Sequence, residues 1–160
     1  MDATEAARAF VNEHFPKCLV AFFGGSVVRG EATESSDLDI VVITAEGESY
    51  YHKSLHAFGW PIQVFVYDSR FYKDIFVWDA RERRPVQALI CLEGDIIKNS
   101  DGLAEQIKND AKILLEKGPV PLGQTEIDDK RYTLTERLND FIDSDNNDEC
   151  MFIINELVAW

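Results

Sequence analysis

The stretch FFGGSVVRGEATESSDLDIVVI, residues 22–43, sets a Gly-Gly-Ser turn, an arginine and an Asp-x-Asp pair between two apolar runs. The first run, CLVAFF (18–23), is short and continuously apolar, the pattern of a strand covered on both faces. The second, DLDIVVIT (37–44), is rich in β-branched residues and predicts another strand. Side chains alternate along a strand, so Asp37 and Asp39 project from one face while Leu38, Ile40 and Val42 enter the core on the other. Two carboxylates so placed repel each other unless a cation lies between them. Their hard oxygens suit Mg²⁺, which takes one or two protein carboxylates and completes its shell with phosphate oxygens and water. A loop leaving a buried strand through Gly24 and Gly25 brings backbone N–H groups close to a polyphosphate with no Cβ in the way. Ser26 adds a hydroxyl donor and is expected to begin a short helix, whose N-terminus favours an anion. Arg29, one turn further on, supplies a charge-assisted bond to phosphate or to the carboxylates.

Outward from this stretch, Ala6, Ala7, Phe10 and Val11 are spaced to bury one side of a helix over 4–15. YYHKSLHAFGW (50–60) is ambiguous, its aromatic content favouring strand, and PIQVFVYD (61–68) predicts a further strand. Ser69 is placed to cap a helix over 70–81, and a shorter helical piece follows Pro85 and ends near Gly94. Residues 101–118 form the clearest helix, with Leu103, Ile107, Leu114 and Leu115 on one side and Gly118-Pro119 as its stop. Two more helices are expected, over 125–141 and over 148–160, the latter with Ile153, Leu157 and Trp160 on one stripe. KGPVPLG (117–123) marks the one boundary, between an α/β domain over 1–118 and a helical segment over 119–160. Because NELVAW breaks off in mid-pattern, that segment is expected to be the start of a helical domain, or its last helix to dock on the core.

The formal net charge of −13 argues against a nucleic-acid backbone as partner, since phosphate binding wants clustered Lys and Arg. Residues 134–160 carry seven acids against one base, either a solvated helix face or an acidic wall for a cationic small molecule. No apolar run approaches the roughly 20 residues of a membrane span, and the acidic, helical N-terminus does not read as a secretory signal. Three scattered cysteines without a CxxC fit reduced thiols and a cytoplasmic setting. His52 and His56 have the i, i+4 spacing of a zinc pair but no third ligand, and read as surface or core histidines. RERR (81–84) reads as a solvated helix end, and Tyr72 and Phe76 as core rather than a base-stacking platform.

Strand, Gly-Gly-Ser, Arg-Gly, Ser-Asp-x-Asp, strand is an order that resembles the nucleotidyltransferase superfamily, which includes DNA polymerase beta and the aminoglycoside nucleotidyltransferases. The GWPIQVFV strand (59–66) and the GPVPL turn (118–122) are similar to the small-molecule branch. The resemblance implies a nucleotidyltransferase fold, a small mixed β-sheet flanked by helices in an α/β (α+β) domain. It implies transfer of a nucleoside monophosphate from an NTP, ATP first, to a hydroxyl of a small-molecule acceptor. Gly25 and Ser26 would grip the β- and γ-phosphates, with Gly24, Arg29 and Ser36 also at the nucleotide. Asp37 and Asp39 would hold two Mg²⁺ ions.

The chain departs from the family at its third carboxylate, a metal ligand and often the general base, whose expected position on PIQVFVYD holds Gln63. A carboxamide offers an oxygen to a metal but accepts no proton at neutral pH. Asp68, five residues on, is sent to the opposite face by strand alternation. Two readings stay open at Gln63: a working enzyme in which water or another acid fills the gap, or an impaired domain that binds nucleotide with little transfer. An antitoxin-type nucleotidyltransferase acting on a partner protein is a third. Acceptor identity, base preference and oligomeric state are not legible in the sequence.

Overall fold

A computed structural model of the chain describes residues 1–47 and 50–158. It opens with α1 (Ala3–His14), β1 (Val20–Gly24), β2 (Leu38–Thr44), β3 (Tyr51–Ala57) and β4 (Trp60–Asp68). Then follow α2 (Tyr72–Arg81), α3 (Val86–Glu93), β5 (Asp95–Asn99), α4 (Leu103–Lys117), α5 (Gln124–Asp143) and α6 (Asn147–Val158). The five strands form one sheet in the order β3-β4-β2-β1-β5. β2 and β4 run parallel and every other pair is antiparallel, so the sheet is mixed.

The alternation expected of β2 and β4 sorts the core into two layers. Leu38, Ile40, Val42, Ile62, Val64 and Val66 pack on one face with Ala6, Ala7, Phe10 and Val11 of α1. Val41, Ile43, Phe65 and Tyr67 face the other way, toward Tyr72 and Phe76 of α2, Ile90 of α3 and Ile107 of α4. β1 is buried along its whole length, as its continuous apolar run requires. α1 begins with a capping box: Asp2 accepts from the Glu5 N–H, and Glu5 accepts from the Asp2 N–H.

The ambiguous stretch 50–60 resolves into an edge strand and a tight hairpin. Phe58 (φ 55°) and Gly59 (φ 83°) both take positive φ between β3 and β4, the signature of a two-residue turn that matches strand twist. Three local expectations are corrected. Residues 26–30 form hydrogen-bonded turns rather than a helix. α2 starts at Tyr72 with no side-chain cap, because Asp68 rather than Ser69 takes the preceding N–H groups of Arg70 and Phe71. β5 was not anticipated: DIIKN carries only a short apolar run and pairs β1 across a bulge between Ala21 and Phe22.

The chain divides into two compact units, one covering Met1–Pro119 and a second from Val120 onward. In the second, α5 and α6 are joined by the Arg137–Glu156 ion pair at 2.8 Å, and Ile153 is buried. Leu134, Leu138 and Ile142 of α5 are exposed. The last residue of the expected apolar stripe on α6, Trp160, lies outside the described residues. No helix among the described residues is long and apolar enough to cross a membrane.

Candidate active site at the Gly-Gly-Ser turn

Strand register builds the site. Asp39 lies opposite Gly24 of β1 on one side and opposite Gln63 of β4 on the other. Gln63 in turn faces Ser54 of β3, so Gly24, Asp39, Gln63 and Ser54 form one row across four strands. By the two-residue period this row continues the face that holds Val41 and Phe65, the face covered by α2–α4. Asp37 stands just ahead of β2 and, like Asp39, is half-buried, while Leu38 between them is fully buried.

The two glycines do different work. A Cβ on Gly24 would sit 2.9 Å from Ile90 Cγ2 and 3.1 Å from its Cα, so glycine here lets α3 lie against the end of β1. Gly25 has φ +83°, and a Cβ there would collide with the Asp39 carboxylate, reaching 3.0 Å from its Cγ. The bare backbone of the turn is thus laid directly on the second aspartate. Burial, and then the neighbouring charge of Asp37, push the Asp39 carboxyl up to about 6, with Arg29 opposing. A pair of carboxylates under that strain, all hard oxygen donors, fits a divalent cation such as Mg²⁺. Among the described residues no group of three or more His, Cys, Asp or Glu is placed to hold a metal. The oxygen donors here are Asp39 and the Gln63 carboxamide on the row, with Asp37 just ahead of β2.

Serine and backbone bonds fix the loop. Glu31 N–H donates to Ser26 O at 2.9 Å and Arg29 N–H to Gly25 O at 3.3 Å. The Ser26 hydroxyl donates to Ser36 Oγ at 3.3 Å, and Ser36 Oγ accepts from Thr33 N–H at 2.8 Å. Ser36 so ties the Gly-Gly-Ser turn to the segment that carries the aspartates. Arg29 forms ion pairs with Glu31 (2.9 Å) and with Glu93 at the end of α3 (3.8 Å). Its charge is still felt at Asp39.

Asp68 sits at the far end of β4, opposite Thr44, with its carboxylate bound by Gly47 N–H and by Arg70. It does not reach the row. His52 stacks flat on Phe65, centroids 4.6 Å apart at 5°, on the exposed edge strand beside His56. Tyr72 and Phe76 are buried and meet edge to face at 5.6 Å. Sequence reasoning missed Ser54, Glu93 and Lys108. The Lys108 ammonium donates to the carbonyls of Leu92 (2.9 Å) and Gly94 (2.7 Å), closing the C-terminal end of α3. Only strand register and helix packing bring these residues in, and neither is written in local spacing.

Comparison with known proteins gives the class. The profile of the family described as nucleotidyltransferase domain matches residues 5–114, more than two thirds of the chain. The chain belongs to the nucleotidyltransferase domain family. Among curated protein sequences none matches significantly. A nucleotidyltransferase-like protein from Exiguobacterium sibiricum 255-15 is similar in fold, with a TM-score of 0.52 and 14% identity. The similarity covers 88% of this chain and 47% of that one, so this chain spans about half of its length. A toxin–antitoxin structure with AMP-PNP aligns at a TM-score of 0.43 and 12% identity, over 84% of this chain and 97% of that one. A mutant of the MntA-HpeT toxin–antitoxin aligns at 0.41 and 10%, over 86% and 98%.

Proposed function

We propose that the chain transfers a nucleoside monophosphate, from ATP in the first instance, to a hydroxyl of a small acceptor in the cytoplasm, using a divalent metal. Residues 1–118 are taken as the catalytic domain and 119–160 as a separate helical segment. The observation that carries the reading is the contact of the Gly25 backbone with the Asp39 carboxylate, which brings an anion-binding turn and a cation-binding pair to one point. Gly24, Gly25 and Ser26 present N–H donors to the β- and γ-phosphates, and the Ser26 hydroxyl, which donates to Ser36 Oγ without ligand, would turn to a phosphate oxygen. Asp37 and Asp39 would hold Mg²⁺, which would neutralise phosphate charge and lower the pKa of the acceptor hydroxyl. The acceptor oxygen bonds to the α-phosphorus, the bond to the β-phosphate oxygen breaks, and pyrophosphate leaves on the opposite side.

Gln63 shapes this chemistry. Its carboxamide orients an oxygen but takes no proton, so the hydroxyl proton leaves to water. Losing a general base costs about 10²–10⁴ in rate, which supports slow transfer and keeps nucleotide binding with little transfer as the second reading. Mass spectrometry of acceptor mixtures incubated with each triphosphate and Mg²⁺ tests the proposal. A nucleoside-monophosphate adduct that disappears in Asp39→Asn supports it; absence of any adduct with intact binding favours the second reading.

A further inference from the structure

A cleft of about 400 Å³ opens on the same sheet face, beyond Gln63. Phe65, the next residue inward from Gln63 on that face of β4, lines it, with the His52 ring stacked on Phe65. The last turn of α2 contributes Trp78, Asp79 and Glu82, and the start of α3 contributes Gln87, with Arg84 between them. α3 runs from this cleft to Gly24, where Ile90 packs on the strand end. The Gly-Gly-Ser turn follows β1 and the cleft lies over β4, on opposite sides of β2, with Phe65 two residues further along β4 than Gln63. In-line displacement needs attacking and leaving oxygens on opposite sides of the phosphorus. With pyrophosphate leaving toward the turn, the attacking hydroxyl arrives from the Gln63 side, where this cleft opens.

The lining states what chemistry it takes. The Phe65 ring, with the His52 ring stacked parallel to it at 4.6 Å, gives an aromatic wall, and the Trp78 indole, 60% exposed, stands at the rim. Asp79 is buried to 6% exposure, its carboxylate accepting from the Gln87 N–H at 3.1 Å and from the Gln87 side-chain amide, which leaves Glu82 as the carboxylate open to a ligand. Glu82 adds a second carboxylate against the single guanidinium of Arg84. Aromatic faces and an excess of carboxylate favour an organic cation with a flat framework, by stacking, cation–π attraction and charge-assisted bonding. Resting on the transferase reading above, we infer that this cleft is the acceptor site and takes a hydroxyl-bearing aryl amine, its ring over Phe65 and its ammonium toward Glu82.

Two probes differing only in the charge decide it: tyramine and 4-ethylphenol, titrated into the full chain saturated with Mg²⁺ and a non-hydrolysable ATP analogue. The readout is the indole Nε1–H resonance of Trp78 in a ¹H–¹⁵N spectrum, assigned with Trp78→Phe. Tyramine is expected to shift that resonance saturably and 4-ethylphenol to bind more weakly. Glu82 is exposed, so Glu82→Gln spares the fold, and it is expected to weaken tyramine about tenfold, the loss of one charged contact, with analogue affinity unchanged. No shift at Trp78, equal binding of both probes, or no effect of Glu82→Gln overturns the acceptor assignment. Failure of the Mg²⁺–analogue complex itself to bind, read by calorimetry before either probe is added, instead overturns the transferase reading.

Discussion

At the residue scale the account rests on Gly25, Asp39 and Gln63. Gly25→Ala must hold a Cβ at φ +83° and push the Asp39 carboxylate aside. The strained φ alone costs about 1–2 kcal/mol. We expect a lower melting temperature and Mg-ATP affinity reduced by at least about tenfold, measured by calorimetry, since one charged contact is worth that much. Asp39 gives a pH signature. In chelator its carboxyl titrates at about 6 in the fold against 3.8 when unperturbed, so between these values the native state holds more protons than the unfolded state. Stability then falls as pH rises from about 4 to about 6. Asp39→Asn removes that slope and above pH 6 is the more stable protein, by on the order of 1 kcal/mol after allowance for solvent screening; a melting series over pH 4–8 reads it. Gln63→Glu restores a carboxylate beside Asp39 in register and is expected to raise single-turnover transfer by about 10²-fold, the low end of a general base's contribution. An unchanged rate places the missing base elsewhere.

At the scale of elements, the signals that survived into the structure are periodic ones. β2 and β4 alternate strictly between two core layers, and α4 buries Ile107 of its expected stripe with Leu103, Leu114 and Leu115 partly buried, while the fully buried positions beside it are Ala104 and Ala111. What spacing could not carry was pairing. β5 is five residues whose place beside β1 depends on long-range contacts, and turns replace a helix after Ser26 because only Arg29 N–H makes an i→i+4 bond, while Glu31 N–H reaches Ser26 O, Gly30 N–H reaches Val27 O, and Gly30 takes φ 75°. Ser69 lost the capping role because Asp68, two residues before Arg70, reaches the Arg70 N–H at 2.8 Å. The site was half legible: two aspartates by alternation, the rest only by register. α3 is the element that joins the row to the cleft, and Lys108 secures its end through two carbonyls. Lys108→Met keeps the aliphatic stem but loses the ammonium, both of its carbonyl bonds and its approach to the Phe22 ring at 5.9 Å, an expected loss of about 1–3 kcal/mol by urea denaturation.

At the scale of the molecule, every candidate nucleotide residue lies in the first unit, Met1–Pro119, and the chain as a whole carries −13. A polyanionic ligand therefore approaches against an unfavourable field, and a divalent cation accompanying the phosphates is what makes its binding at an acidic pair favourable. The family follows from the matching profile. The sharpest test is an anomalous-scattering map from crystals grown with Mn²⁺ and a non-hydrolysable ATP analogue. The account predicts a peak bonded to carboxylate oxygens of both Asp37 and Asp39, with the triphosphate against the N–H groups of Gly25 and Ser26. An ordered analogue whose metal lies away from those two aspartates, or whose phosphates lie away from that turn, would contradict it.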